Sequence, residues 1–192
     1  MGISELCIIP LPLFKPFYLQ PLVTDLTLIE NLAHEREYEN DSFRIFLKQQ
    51  DVAAVDKAVH EINDSITPQI DCTQCGNCCK SLMINITPAE ADNLALQLDI
   101  SLPILKKKYI EESSQGQLIM NTIPCHFLAD TSCSIYENRF TECREFPHLH
   151  KDNFNSRLFG TLQYYAMCPI IFNVVEELKG RLGFKKEEGT LT

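Results

Sequence analysis

The run Cys72-Thr73-Gln74-Cys75-Gly76-Asn77-Cys78-Cys79 places four cysteines in one short segment. A Cys-x-x-Cys pair directs two thiolates toward one metal while the intervening turn supplies curvature. Gly76 permits a backbone conformation that a side chain would obstruct. Soft thiolates suit zinc and iron–sulfur chemistry. The side chains of the adjacent Cys78 and Cys79 diverge. One of them therefore ligates a different metal, bridges two metals, or stays a buried free thiol. Four more cysteines follow at Cys125, Cys133, Cys143 and Cys168, and the ninth, Cys7, reads as a core residue. Eight thiols satisfy two four-cysteine sites, or one such site with four thiols left for other roles. Counting does not choose between these.

Zinc has a structural rationale, because four thiolates close a tetrahedral site. Iron–sulfur chemistry competes with it. The first run and Cys168-Pro169 are similar to pieces of cluster motifs, but the C-x2-C-x2-C-x3-C-P pattern is incomplete. No H-E-x-x-H pairs a metal with a general base, and no phosphate loop, dinucleotide fingerprint or catalytic triad is evident. Catalytic residues are therefore not assigned. His126 and His148 are candidate alternate ligands or hydrogen-bond donors to ligands, against a packing role. Arg139 and Arg144 are candidates to neutralise a thiolate cluster, against ordinary salt bridges to Glu137, Glu142 or Glu145. Tyr136 reads as packing beside the site.

These segments, with Pro124-Cys125-His126-Phe127-Leu128, Cys133-Ser134-Ile135-Tyr136 and Cys143-Arg144-Glu145-Phe146-Pro147, resemble the bacterial YkgJ-type cysteine-cluster family with its CxxCxxCC signature. The resemblance spans roughly 70–172. It implies a zinc- or iron-chelating protein whose cluster residues are Cys72, Cys75, Cys78, Cys79, Cys125, Cys133, Cys143 and Cys168. Asn138-Arg139-Phe140 departs from the Arg-Pro pair frequent in such proteins, which alters a turn but removes no ligand. The expected activity is metal binding, with structural zinc, one or two ions, ahead of an iron–sulfur redox or electron-transfer protein. A metal-stabilised protein-interaction module is the third reading.

The 192 residues carry 17 Lys and Arg against 26 Asp and Glu, a formal charge of −9. That balance disfavours a general nucleic-acid surface, which needs concentrated positive charge. Lys106, Lys107 and Lys108 read as a solvated helix face. Glu5 and the prolines at 10, 12 and 16 argue against a secretion signal, and no apolar run reaches the length of a membrane helix. Reduced, cytoplasmic cysteines are the expectation. The sequence does not set the oligomeric state.

The elements that must hold these cysteines are mainly helical. Residues 41–66 predict one long helix, begun by Asp41, ended by Pro68, with Phe43, Phe46, Leu47, Val52, Val55, Val59 and Ile62 along one face. Thr87, Pro88 and Glu90 form a capping box for a second helix. Residues 103–113 predict a third, with Ile104, Leu105, Tyr109 and Ile110 partly buried. Gly116 marks a turn, and 117–123 a strand. Residues 125–151 lack periodicity. After a periodic stretch at 154–166, Pro169 opens a last helix with Ile171, Val174, Val175, Leu178 and Leu182 inward and Gly183 at its end. The predicted fold is a compact helical metal-binding domain with irregular cysteine-bearing loops and a short β-hairpin. Residues 1–66 form an arm and supporting helix, 67–183 the cysteine-cluster domain, and 184–192 a flexible tail. The Pro-rich segment 1–33 reads as an extended arm or short buried pieces, a place for a protein partner or for packing on the body.

Overall fold

The computed structural model describes residues 21–185. The helices in chain order are α1 (Leu26–Glu35), α2 (Glu37–Leu47), α3 (Val52–Ile66), α4 (Cys72–Cys75), α5 (Asn77–Ser81), α6 (Pro88–Gln97), α7 (Leu102–Tyr109), α8 (Thr141–Glu145), α9 (Phe154–Leu162) and α10 (Pro169–Arg181). The strands are β1 (Asn85–Ile86), β2 (Ile110–Glu112), β3 (Leu118–Met120), β4 (Leu128–Ala129) and β5 (Ser132–Cys133). The chain is mainly helical with small strand elements. No helix among the described residues is long and apolar enough to cross a membrane.

Apolar side chains collect into two cores. The first is helical and is built around α10. Ile170, Ile171, Phe172, Val174, Val175 and Leu178 are all buried, so this helix is covered on nearly every side. The α3 stripe of Val55, Val59 and Ile62 packs into the same core with Phe43 and Leu47 of α2, Ile29 of α1, and Phe154 and Leu158 of α9. Elements before and after the cysteine segment thus share one core.

Asp56, Asn173 and Lys179, buried polar groups at this core, are paired, as burial requires. Asn173 of α10 accepts from Val23 N at 3.0 Å and donates to Val23 O at 2.8 Å, fixing the extended residues before α1. Lys179 Nζ lies 2.7 Å from both Glu39 and Glu176 carboxylate oxygens. Glu176 also accepts from Arg36 and from the Tyr165 hydroxyl. Burial and that carboxylate push the Tyr165 phenol up. Asp56 of α3 accepts from Asn153 N and Phe154 N, both at 2.8 Å, and so caps α9 from across the core.

The second core lies under α6 and α7 and a small antiparallel sheet of order β1-β3-β2. Ile84, Ile86, Leu94, Leu105, Leu118, Met120, Phe127 and Phe140 fill it. The predicted capping box is present: Glu90 N donates to Thr87 Oγ1 at 3.2 Å, and Thr87 N to Glu90 at 2.9 Å. The β2–β3 hairpin turns through Gly116 at φ +79°.

Several expectations are corrected. The long helix over 41–66 is two helices. The chain closes α2 with bonds from Gln49 N and Gln50 N to Phe46 O and Leu47 O, and Asp51 caps α3 by accepting from Ala54 N at 2.8 Å. The break lets both apolar stripes reach one core, and it leaves Val52 exposed. Asp41 sits inside α2 rather than at its start. The predicted arm is helical from Leu26, beyond the last proline, with Asp25 as its cap. Its portion before residue 21, with Cys7, lies outside the described residues, as does most of the predicted tail. The helix expected to run to 113 ends at Tyr109, because the chain from Ile110 pairs with β3. Ile104 is exposed.

The Asp56 cap can be tested directly. Hydrogen bonds to charged groups contribute roughly 1.5–3 kcal/mol each. Asp56→Ala, which removes two such bonds, should lower the unfolding free energy by about 3 kcal/mol or more, and Asp56→Asn, which keeps one acceptor, by less. Urea denaturation of the three proteins measures this.

Candidate metal centre

The first cysteines sit on two short helical turns joined by a left-handed residue. Asp71 opens α4 by accepting from Thr73 N at 2.9 Å and from the Thr73 hydroxyl at 2.6 Å. These bonds hold the Asp71 carboxyl below its ordinary range. Cys72 and Cys75 are three residues apart on α4, so they share a face. Gly76 then adopts φ +59°. A Cβ there would lie 2.5 Å from Thr131 O, inside the β4–β5 turn. Glycine is therefore demanded twice, by its dihedral and by the approach of the hairpin. Ser132 Oγ donates to Thr73 O at 3.4 Å across the same junction.

The later cysteines are brought to this run by the second core and by α10. Cys125 N donates to Cys79 O at 2.8 Å. Cys133 pairs with Leu128 across the β4–β5 hairpin, and Leu128 N donates to Cys125 O at 3.0 Å. Cys143 lies on α8, whose start is fixed by Thr141 N donating to Glu90 at 2.6 Å. Glu142 of the same helix accepts from the backbone and side chain of Asn85. Cys168 is the N-cap residue of α10 and is buried. Asn77 Nδ2 reaches Met167 O at 2.9 Å, tying the Cys72–Cys79 run to the residue before Cys168.

Six of the eight predicted residues, Cys72, Cys78, Cys79, Cys125, Cys133 and Cys143, line one cavity of about 630 Å³. Cys75 and Cys168 do not line it, although Ile170 beside Cys168 does. All eight cysteines in the described residues are free thiols. The donor chemistry fits a thiophilic metal: soft sulfurs, half-buried, with apolar Leu82, Ile84 and Phe127 between them. The sulfurs are gathered but do not form a finished shell. Among the described residues, no three His, Cys, Asp or Glu side chains stand close enough together to hold an ion as they are placed.

Burial and like charge oppose ionisation of most of these thiols in the metal-free chain. Burial first, then the neighbouring charges of Cys79, Cys125 and Cys133, push the Cys143 thiol up to about 12. Burial pushes Cys168 up to about 12 as well, with Cys72 and Cys75 adding to it. Burial likewise raises Cys72, Cys125 and Cys133. Cys78 and Cys79 shift in opposite directions. A hydrogen bond from the Cys79 thiol lowers Cys78 and strongly raises Cys79.

Arg139 is the cation placed to offset this charge. It favours the thiolates of Cys72, Cys79 and Cys133. Its guanidinium lies 3.9 Å from the centre of the Tyr136 ring, and its buried Nε has no hydrogen-bond partner in the protein. Arg144 also lines the cavity and bonds Thr141 Oγ1 at 3.3 Å. Neither arginine is ion-paired to a carboxylate among the described residues. The histidines turn elsewhere. His126 bonds Asn121 Oδ1 at 2.8 Å and packs edge-on to Tyr109. His148, at φ +60°, lies beside Glu145 and outside the cysteine cavity. Asp71, Asn77, Glu90, Thr131 and Glu142 support the site without a signal in the sequence, except that Glu90 is legible as a cap.

Residues 71–163 match the family model CxxCxxCC, described as a "putative zinc- or iron-chelating domain". No curated protein and no solved structure matches the chain.

Two outcomes follow from this geometry. Gly76→Ala should lower stability by more than the 1–2 kcal/mol of left-handed strain alone, because Thr131 O cannot retreat as a flexible side chain would, and it should reduce bound metal. Gly116→Ala, at φ +79° with nothing within 4 Å, should cost only the strain. Thermal denaturation and metal content of both variants separate these effects. The second outcome concerns pH. Raised thiols hold protons more tightly in the folded metal-free chain than when unfolded, so their stabilisation is present below about 9 and is lost as pH rises toward about 12. Denaturation of metal-free protein under reducing conditions should show that fall, and metal-loaded protein should not.

Proposed function

Because residues 71–163 belong to the CxxCxxCC family, we propose that this chain binds a thiophilic metal through cysteine thiolates and holds zinc as a structural ion. The observation that carries this reading is the cavity walled by six cysteines, with Arg139 as the counter-charge beside them. Four thiolates close a tetrahedral zinc site and leave no open position for hydrolysis. The cavity offers no histidine, and its one carboxylate, Asp71, is engaged by Thr73 and Gln74. The site therefore lacks a general base, and its chemistry is that of a metal-bound staple between the two cores.

An iron–sulfur centre is the second reading, favoured by the size of the cavity. About 630 Å³ among sulfurs is more room than a single ion fills. Cysteine-only ligation serves such clusters as well as it serves zinc.

Anaerobic purification followed by zinc, iron and acid-labile sulfide determination, with a visible spectrum, tests both readings. Zinc in a colourless protein is the expected result, and chelation should loosen the fold, since structural metal binding is coupled to folding. Matched iron and sulfide in a brown protein would move the assignment to the second reading. Folded protein with intact thiols, no metal and no uptake of added metal would sink both.

A further inference from the structure

The eight cysteines do not form one undivided group. We infer that they make two separate four-thiolate metal centres, Cys72, Cys75, Cys78 and Cys168 forming one and Cys79, Cys125, Cys133 and Cys143 the other. This inference rests on the thiolate–metal reading above and adds the partition of ligands and the number of centres.

The two cores supply the first argument. Cys168 is buried within the helical core around α10. Cys125, Cys133 and Cys143 all pack against the other core, under the sheet and α6. The late cysteines are therefore divided between the cores, Cys168 on one and the other three on the other. The Cys72–Cys79 run lies between the cores and must serve both.

Backbone connections divide that run. Asn77 binds Met167 O, which holds the middle of the run to the Cys168 end. Cys79 O receives the Cys125 amide, which holds its last residue to the other group. The Leu128–Cys133 pairing and the Leu128-to-Cys125 bond then keep Cys125 and Cys133 at one end of the same hairpin. The run thus passes from one group to the other between Asn77 and Cys79, at the Cys78–Cys79 peptide bond.

Proximity among the sulfurs follows the same division. The cysteines opposing a Cys143 thiolate are Cys79, Cys125 and Cys133, with Glu142 adding to them. Those opposing Cys168 are Cys72 and Cys75. All four members of the second group line the cavity, whereas only Cys72 and Cys78 of the first do. Neighbours across the division are Cys78 with Cys79, Cys72 with Cys79 and Cys78 with Cys143, as expected for centres joined at one peptide bond. Arg139 sits at that seam, acting on Cys72 of one group and on Cys79 and Cys133 of the other.

The test is a Co²⁺ titration of the metal-free full chain under anaerobic conditions. Sulfur-to-cobalt charge-transfer absorption reports thiolate ligation, and native mass spectrometry counts the ions. The wild-type protein should bind two equivalents. Cys75→Ser should retain one tight equivalent, as should Cys133→Ser, and the double variant none. The pair Cys133→Ser with Cys143→Ser should still retain one, because both belong to the same centre. Cys125→Ser is the replacement probe if either of those variants loses its helical circular dichroism. In protein isolated with iron, the same single variants should each halve iron and sulfide. A wild type that binds one equivalent overturns the partition while leaving thiolate ligation standing. So does a Cys133→Ser/Cys143→Ser variant that loses both ions. A wild type that takes up no cobalt at all overturns the metal reading itself.

Discussion

Sulfur atoms brought together away from water repel one another as soon as they ionise. Ionisation of Cys72, Cys125, Cys133, Cys143 and Cys168 is opposed by desolvation and by the incipient charge of neighbouring sulfurs, and Arg139 is the main positive charge among them. Two chemical states relieve this: every sulfur keeps its proton, or the protons leave and a cation takes their place. The fold is arranged around the need to tolerate both. The metal-free chain keeps Cys143 and Cys168 neutral far above physiological pH. A metal that displaces those protons works against the same desolvation, which makes its binding pH-dependent and couples it to the packing that caused the burial.

That packing is supplied by parts of the chain far apart in sequence. The helical core sets Cys168 at the head of α10, and the sheet core sets the other three late cysteines. Between them the Cys72–Cys79 run is pinned at Gly76 against the β4–β5 turn, where no side chain fits. Glu90 carries out two tasks at once, closing its own capping box and fixing the start of the helix that bears Cys143. Asp56 performs the corresponding service for α9.

Signals confined to a few neighbouring residues were legible in the sequence. Thr87, Pro88 and Glu90 announce the start of α6 because a capping box is a local exchange of hydrogen bonds. Pro169 and the apolar periodicity after it announce α10 for a similar reason, although its nearly complete burial depends on what surrounds it. The break between α2 and α3 was hidden, since the apolar spacing continues across it and only tertiary packing explains why two helices fill the core better than one. The strand at Ile110 needed its partner β3, and a three-residue strand has no periodicity of its own. At the candidate site the cysteines themselves were evident from spacing. Their allocation to two cores was not, because it depends on contacts such as Asn77 with Met167 that span the chain.

The setting of Cys168 gives the molecule an optical property. The chain contains no tryptophan and six tyrosines. One of these, Tyr165, is buried three residues before Cys168, its ring centre 4.9 Å from that of Phe172 and its hydroxyl held by Glu176. A phenol immobilised among rings gives a near-ultraviolet dichroic band that exposed tyrosines such as Tyr38 do not. Nothing brighter masks it. The protein therefore carries its own spectroscopic gauge inside the helical core, in the same core as Cys168 and apart from the one against which Cys125, Cys133 and Cys143 pack.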